Sequence, residues 1–478
     1  MSAFDRPAFP LRDYLPRRVP DKTVAEPARE VPVLSECDVA VFGGGPTGVC
    51  AATAAARHGA RVLLVERLGY LGGMATAGNV NLLHPLYGTD GATKVIGGLP
   101  EEFLRRLSAL GATYNSARDG ETGHWVICSE TAKFVLDDMV LSSGCRVVFD
   151  TLAAGVLRED DRVRAVLVEG KSGREAILAS VFIDCTGDAD ILRRAGCETQ
   201  LGDGTGRCQA PSLCFRVAGK SPDALPLGDV YSELVTEPMD YNGEHYANFL
   251  WGSSGVWDRS EQMMAGTRVL NVNCADTLDL TRAEVEARFQ LRWLMGKLRS
   301  LPGWEQARLV DIAAQVGLRE SHRILAEHQL RREEVLQGVL FPDAVAQGTY
   351  PIDIHTPDAP GIVFERLDGT RRRQNADRTW DTERWDGRPV DAPLRETLCY
   401  QVPYRSLVPR GLRNVLAAGR CIGANHDSAG AIRVMVNCMQ FGQAAGVAAA
   451  MAAEDGDVHA VDTGMLKENL QAAHVPLR

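Results

Sequence analysis

The run Cys37-Asp-Val-Ala-Val-Phe-Gly43-Gly-Gly45-Pro-Thr-Gly48 decides the fold. Asp38 to Phe42 is apolar and partly β-branched, the pattern of a buried parallel strand. Gly43, Gly45 and Gly48 then fall at the G-x-G-x-x-G spacing. The first such glycine allows a tight turn, the second lets backbone approach a pyrophosphate, and the third lets helix pack closely on strand. Pro46 and Thr47 follow, and a proline suits a first helical turn because the missing N–H would be unused there. Val49 to His58 is Ala-rich and reads as helix, Gly59 ends it, and Arg61-Val-Leu-Leu-Val65 reads as the second strand. Glu66 stands at the carboxyl end of that strand, where an acidic side chain can accept hydrogen bonds from ribose hydroxyls. A lone glycine fingerprint is a weak signal. Strand, helix, strand and acid in register predict a dinucleotide-binding unit over about 36–66.

The next stretch, Arg67-Leu-Gly-Tyr-Leu-Gly72-Gly73-Met74-Ala75-Thr76-Ala-Gly78, is too dense in glycine for a regular element. Such a loop lets backbone amides approach a ligand. A nicotinamide-binding fold has no need of it, whereas flavin adenine dinucleotide (FAD), with its long ribityl-diphosphate, does.

With these blocks in view, the chain resembles the FAD-dependent oxidoreductase family, a branch of the glutathione-reductase-like flavoprotein group. The resemblance rests on G-G-G-P-T-G, on E-R-x-G-x-L-G-G-M-A-T-A-G, and on Val95-Ile-Gly-Gly-Leu-Pro-Glu-Glu102. It continues through Val181-Phe-Ile-Asp-Cys-Thr-Gly-Asp-Ala-Asp190, Gly317-Leu-Arg-Glu-Ser-His-Arg323, Gly348-Thr-Tyr-Pro-Ile-Asp-Ile-His355 and Tyr404-Arg-Ser-Leu-Val-Pro409. The last matches are Leu416 to Gly423, Ile432-Arg-Val-Met and Gly442-Gln-Ala-Ala-Gly446. Stretches 105–130, 220–260 and 363–395 align with nothing. The resemblance implies an α/β fold: a Rossmann-like FAD-binding domain with an inserted β-meander, plus a discontinuous α+β substrate domain. Residues 1–35 are then an N-terminal arm against the body or a neighbouring subunit. Residues 36–80, 130–212 and 396–455 form the FAD domain, 81–129 and 213–395 the substrate domain, and 456–478 a tail. Fingerprint, loop and matched strand-end turns place flavin contacts at Gly43, Gly45, Pro46, Thr47, Gly48, Glu66, Arg67, Gly72, Gly73, Met74, Ala75, Thr76, Ala153, Thr186, Gly187, Asp188, Gly419, Arg420, Arg433 and Val434. Asp184 and Asp188 also have a plainer reading, as caps of a short helix over 191–195.

The 478 residues suffice for two or three domains, and 45% hydrophobic with 24% charged residues is ordinary for a globular protein. A net charge of -10 argues against a nucleic-acid partner, which wants a basic face. No apolar run has the length of a bilayer span, and Met1 to Pro20 lacks the apolar core of a secretory leader. The 12 cysteines show no C-x-x-C pair or metal-ligand rhythm, so a reduced, cytoplasmic protein without a metal site is expected.

Elsewhere the pattern predicts a helix over 130–143, a strand over 145–150 and a meander over 153–157, 163–170 and 176–183. Strands are expected at 215–217 and 268–272, with an aromatic stretch between them that includes Tyr246 and Trp251. That stretch is either a substrate lid or a surface loop pinned by its own rings. Thr281-Arg-Ala-Glu284 reads as a capping box opening a helix to about 299. The charged stretch 365–388 reads as a solvated excursion or flap. Val415 to Ala418 is the last core strand, a loop covers 421–430, and the final helix begins near 431.

Chemistry is expected where that last loop and helix return to the flavin. A helix N-terminus stabilises negative charge on a reduced ring. Arg433, placed in the first turn, adds to this, binds a substrate carboxylate, or pairs with a neighbouring subunit or domain. His426 is a base for a proton leaving with hydride transfer, or a residue that orients the loop. Asp353 and His355 share a strand face as an orienter and base. His84 is a third candidate, including for covalent flavin attachment. Arg319 and Arg323 lie one helical turn apart, as an ion network or a substrate clamp. With His84, Arg319, Tyr246 and Trp251 as substrate contacts, the leading reading is hydride removal from a small alcohol, amine or activated C–H compound. Oxygen or a carrier then takes the electrons. The alternatives are a flavin monooxygenase using NAD(P)H, and a flavin-containing structural or RNA-modification partner protein. A homo-oligomer is compatible with either.

Overall fold

The computed structural model describes residues 16, 18–19, 22–117, 123–226, 230, 239–241, 244–246, 250–359, 361–375 and 379–478, apart from the side chains at 239–246. The fingerprint strand runs Val33–Phe42 within a seven-stranded sheet. On one side it pairs parallel with Val62–Val65, which pairs parallel with Arg146–Val148. On the other it pairs parallel with Gly173–Asp184. The start of Gly173–Asp184 closes an antiparallel meander with Leu152–Glu159 and Arg162–Gly170, and its end pairs parallel with Val415–Ala417. The chain therefore leaves this sheet after Asp184 and returns at Val415. Phe42 is level with Val65 and Asp184, and Asp184 with Ala417, so four strands end along one edge. Ligands of open α/β sheets bind outside the carboxyl ends of strands, and this edge is one.

The fingerprint helix, Pro46–Arg57, packs against the last long helix, Met435–Met451. Contact is backbone to backbone. A Cβ on Gly442 would fall 2.0 Å from the Thr47 carbonyl oxygen, and one on Gly446 2.2 Å from that of Ala51. The two helices begin side by side at the sheet's carboxyl edge.

A second apolar core lies over an antiparallel sheet ordered Trp251–Ser254, Gln262–Ala265, Cys214–Ala218, Arg308–Ile312. The helix Thr277–Leu298 contributes Ala283, Ala287, Leu291, Leu294 and Met295 to that core. Two expectations are corrected here. The strand expected at 268–272 is absent, because the Gln290 amide brackets the Arg268 backbone, accepting from its N–H at 2.7 Å and donating to its carbonyl at 2.8 Å. The helix is capped by Asp276, whose carboxylate accepts from the N–H groups of Leu278 and Asp279. Thr281 already sits inside the helix and donates to the Thr277 carbonyl, while Glu284 accepts from Val316 N.

The charged stretch 365–388 is a sheet and not a flap. Ile352–His355, Ile362–Glu365, Thr370–Gln374 and Trp380–Arg384 form four antiparallel strands, with Arg371 paired to Glu383 at 2.8 Å and to Glu365. Arg319 and Arg323 are not on a helix: Arg323 lies in the strand His322–Ile324 and Arg319 in a bend before it. The terminal helical region also begins earlier than expected, with a short helix His426–Ile432 ahead of Met435–Met451. Residues 22–32 carry no regular structure, and Arg18 pairs with Asp276 at 2.6 Å. Among the described residues no helix is long and apolar enough to cross a membrane.

Candidate active site

A cavity of about 520 Å³ opens along the carboxyl edge of the parallel sheet. It is lined by Gly43, Gly45, Pro46, Thr47, Glu66, Arg67, Gly73, Met74, Ala153, Thr186, Gly187, Asp188, Gly419, Arg420 and Arg433, all expected from the sequence. Close backbone approach explains the glycines. Gly43 has φ +99°, and a Cβ there would lie 2.5 Å from the Cys185 carbonyl oxygen. Gly419 has φ +92°, and a Cβ would meet the Thr47 hydroxyl at 2.9 Å. Burial pushes the Glu66 carboxyl pKa up, against the pull of the Gly44 and Leu68 amides that donate to it at 2.5 and 2.8 Å. Its orientation is thus set before any ribose arrives.

Asp184 and Asp188 divide the two roles offered for them. Asp184 is fully buried and accepts from the N–H groups of Thr186, Ile191 and Leu192, so it holds the turn and caps the short helix. Asp188 lines the cavity, accepting from Arg420 at 3.2 Å and from the Ser321 hydroxyl.

Gly48, Gly72, Ala75, Thr76 and Val434 stand outside the lining and serve it indirectly. A Cβ on Gly48 would collide with the Gly43 carbonyl at 1.8 Å, so Gly48 seats the helix on the strand. Gly72 N donates to the Gly44 carbonyl at 2.8 Å, and Thr76 Oγ1 to that of Leu71 at 2.7 Å. Ala75 is buried in the same loop. Val434, with φ −68° and ψ 148°, interrupts the helical backbone and is the N-cap of Met435–Met451.

Of the helices that start at the cavity, Thr277–Leu298 is capped by Asp276, whereas Pro46–Arg57 and Met435–Met451 lack a side-chain cap and have no acidic residue in the first turn. Their first amides and positive dipole ends are left for an anionic or electron-rich ligand. The glycine cradle, the oriented Glu66 and the two uncapped helix starts fit FAD. Pro46–Arg57 would serve the diphosphate, and Met435–Met451 the ring's pyrimidine edge.

A second group of polar side chains adjoins this cavity through Arg433. The short helix carrying Arg433 at its end lies on the strand Ile352–His355, where a Cβ on Gly430 would meet the Asp353 nitrogen at 3.1 Å. Arg433 Nη2 donates to Asp353 Oδ2 at 2.8 Å, and the Tyr350 hydroxyl donates to the same oxygen at 2.7 Å. His355 Nε2 lies 3.3 Å from Asp353 Oδ1, as the shared strand face required. Burial alone would raise the Asp353 pKa, but the His355 ring, Arg433 and Tyr350 hold it below the carboxylate range. Burial, reinforced by Arg319, pushes His355 well below its usual value and keeps it neutral. His84 packs its ring 4.1 Å from that of Tyr350 and 5.0 Å from that of His124, outside the cavity lining. Arg319 donates to the Ala210 carbonyl and, at 3.0 Å, to Ser212 Oγ.

The structure does not bring His426 to this group. Its Nδ1 lies 3.1 Å from Glu320, whose other contacts are Arg323 and the Gln209 amide. Arg433 is the C-cap of the short helix and not in the first turn of the long one. Trp251 is half-buried against the second apolar core, and the side chain of Tyr246 lies outside the described residues. Cavity residues that the sequence did not single out include Thr151, Leu152, Leu318, Met435 and Cys438. None of them had a signal of its own: the break at Val434, which puts Met435 and Cys438 in the first turn of the long helix, is visible only in the structure.

A family model described as FAD dependent oxidoreductase matches residues 38–470. Among solved structures, a geranylgeranyl bacteriochlorophyll reductase-like protein from Thermoplasma acidophilum is 14% identical, over 92% of this chain and 84% of its own, with a TM-score of 0.45. A flavin-dependent brominase is 11% identical over 92% and 84%, with a TM-score of 0.44. An anhydrotetracycline hydroxylase from Streptomyces rimosus is 14% identical over 92% and 69%, with a TM-score of 0.39. At that distance none of the three bears on the substrate.

Proposed function

We propose, starting from the fact that the chain belongs to the FAD-dependent oxidoreductase family, that it is a dehydrogenase or oxidase removing hydride from a small polar molecule. As a further proposal, the meander inserted into the parallel sheet supports placing it in the wider glutathione-reductase-like group. Bound FAD supplies the two-electron acceptor. The chain's own residues bind and orient the substrate and take its proton. The observation that carries this reading is the His355 ring held 3.3 Å from the Asp353 carboxylate, which Arg433 ties to the cofactor cavity. A neutral imidazole beside a carboxylate can accept a proton from a substrate O–H, N–H or C–H, and the carboxylate stabilises the imidazolium so formed. Tyr350 and Arg433 fix the other carboxylate oxygen, so Asp353 keeps its orientation while His355 changes charge. His426, engaged with Glu320, positions the turn ahead of the last helix.

The test is anaerobic mixing of the FAD-loaded protein with alcohols, hydroxy acids and amines. A substrate should bleach the flavin with no NAD(P)H present. Bleaching by NAD(P)H alone would favour the monooxygenase alternative, which also requires an oxygen atom in the product. His355→Ala should slow substrate-driven reduction by about 10²–10⁴-fold with FAD retained, and His426→Ala much less. An unchanged rate in His355→Ala removes His355 from the reaction.

A further inference from the structure

Tyr350, His84, Asp353, His355, Arg319 and Arg433 converge from four separate stretches of the chain. Two of the six are guanidinium cations, and Asp353 is the one anion among them. Arg433 spends its Nη2 on Asp353, while its Nε is buried with no hydrogen-bond partner among the described residues. Nδ1 of His84 is in the same position. Among the described residues Arg319 donates to neutral acceptors, the Ala210 carbonyl and the Ser212 hydroxyl. His84 and His355 contribute no compensating negative charge. Burial, and then the charge of Arg433, lower Arg319 to about 9, the direction expected of a guanidinium placed near another cation.

Uncompensated buried charge is expensive and is retained where a ligand completes it. Arg319, Arg433, Tyr350 and His84 all keep some accessible surface although they lie deep in the protein, so space remains beside them. The position is next to the chemistry: Leu318, which precedes Arg319, and Arg433 itself both line the cofactor cavity.

We infer that this cluster binds a small organic carboxylate, with Arg319 and Arg433 as its cationic contacts and His84 Nδ1 and Tyr350 as the polar wall beside it. The substrate is then an organic acid whose oxidisable carbon is presented between the Asp353–His355 pair and the flavin ring. A planar carboxylate suits guanidinium forks, and a neutral substrate would leave Arg319 and Arg433 with the single carboxylate of Asp353 between them. This inference rests on the flavin reading above, and its test needs no turnover.

The experiment measures equilibrium binding to the oxidised FAD-loaded protein, by perturbation of the flavin spectrum and by shift of thermal unfolding. The probes are acetate, pyruvate, benzoate and phenylacetate, each beside its amide. At least one acid should bind about tenfold or more tightly than its amide, roughly 1.4 kcal/mol. Arg319→Met should abolish that preference with FAD content unchanged, and Arg319→Lys should restore part of it. Equal affinities for acids and amides across the panel, or a preference that survives in Arg319→Met, overturns the inference. If acids bind and no alcohol, hydroxy acid or amine bleaches the flavin, the carboxylate site stands and the hydride-abstraction reading fails. If a neutral alcohol or amine bleaches it without any acid preference, the reverse holds.

Discussion

His84 shows how far burial can move one side chain. Its ring lies between Tyr350 and His124, and burial, with the neighbouring His124 and Arg433, drops its pKa from 6.5 to about 3. The unfolded chain takes up a proton below pH 6.5, whereas the folded protein does not until about pH 3. Its contribution to stability is therefore fully present above pH 6.5 and lost as pH falls from there toward 3, with a slope of up to about 1.4 kcal/mol per pH unit. Urea unfolding of wild type and His84→Phe at about pH 7.5 and pH 5 measures this. The wild type should lose stability relative to the variant at the lower pH, and parallel behaviour would place His84 in contact with water. His355 is the other residue whose environment makes its chemistry. The strand alternation put Asp353 and His355 on one face, but nothing in the local sequence showed that Arg433 and Tyr350 would meet the same carboxylate.

Two helix starts carry the element-scale argument. Thr281-Arg-Ala-Glu284 satisfied the capping-box pattern, yet the helix begins at Thr277, because Asp276 offers a carboxylate to the Leu278 and Asp279 amides one turn earlier. Asp276→Ala should destabilise the fold by about 1 kcal/mol, and Thr281→Ala by no more than about 0.5 kcal/mol, in denaturant titrations. The reverse order would restore the capping box. At the last long helix, Gly442 and Gly446 let its backbone touch that of Pro46–Arg57. Gly446→Ala should cost about 1–3 kcal/mol despite alanine's better helix propensity, because its methyl group would have to displace the Ala51 carbonyl. The same variant should bind FAD more weakly, since separating the helices moves both uncapped N-termini from the cavity. Unaltered FAD affinity would uncouple that packing from the site.

At the scale of the whole molecule, the cofactor cavity is a long-range product. Its walls come from the fingerprint near Gly43, the turn near Gly187, the segment near Leu318 and the last strand and helix at Gly419 to Cys438. A ligand touching all of these stabilises the folded chain by mass action, about 2.7 kcal/mol when free FAD exceeds its Kd about 100-fold. FAD-stripped protein should unfold at a lower temperature than loaded protein and recover on adding FAD. Identical unfolding temperatures would mean that the flavin does not hold these segments together. The fingerprint strand, helix and second strand were legible because a contiguous stretch carries period, turn and cap together, so local sterics specify them. The meander was legible for the same reason. The charged stretch 365–388 was misread because its strands satisfy their charges on one another, Arg371 with Glu383 and Glu365, which in sequence looks like a solvated loop. The Arg319 to Arg323 segment was misread because a pair of like residues four apart fits a helix, while Arg323 is fixed in a strand by Glu320, Gly202 and Ala424. By itself, then, the sequence determined the dinucleotide unit, the flavin and most of the cradle. The tertiary structure alone decided that Arg433 meets the Asp353 carboxylate beside the cavity and which cations share that one anion. Those properties depend on burial and on partners far apart in the chain, and no local pattern encodes either.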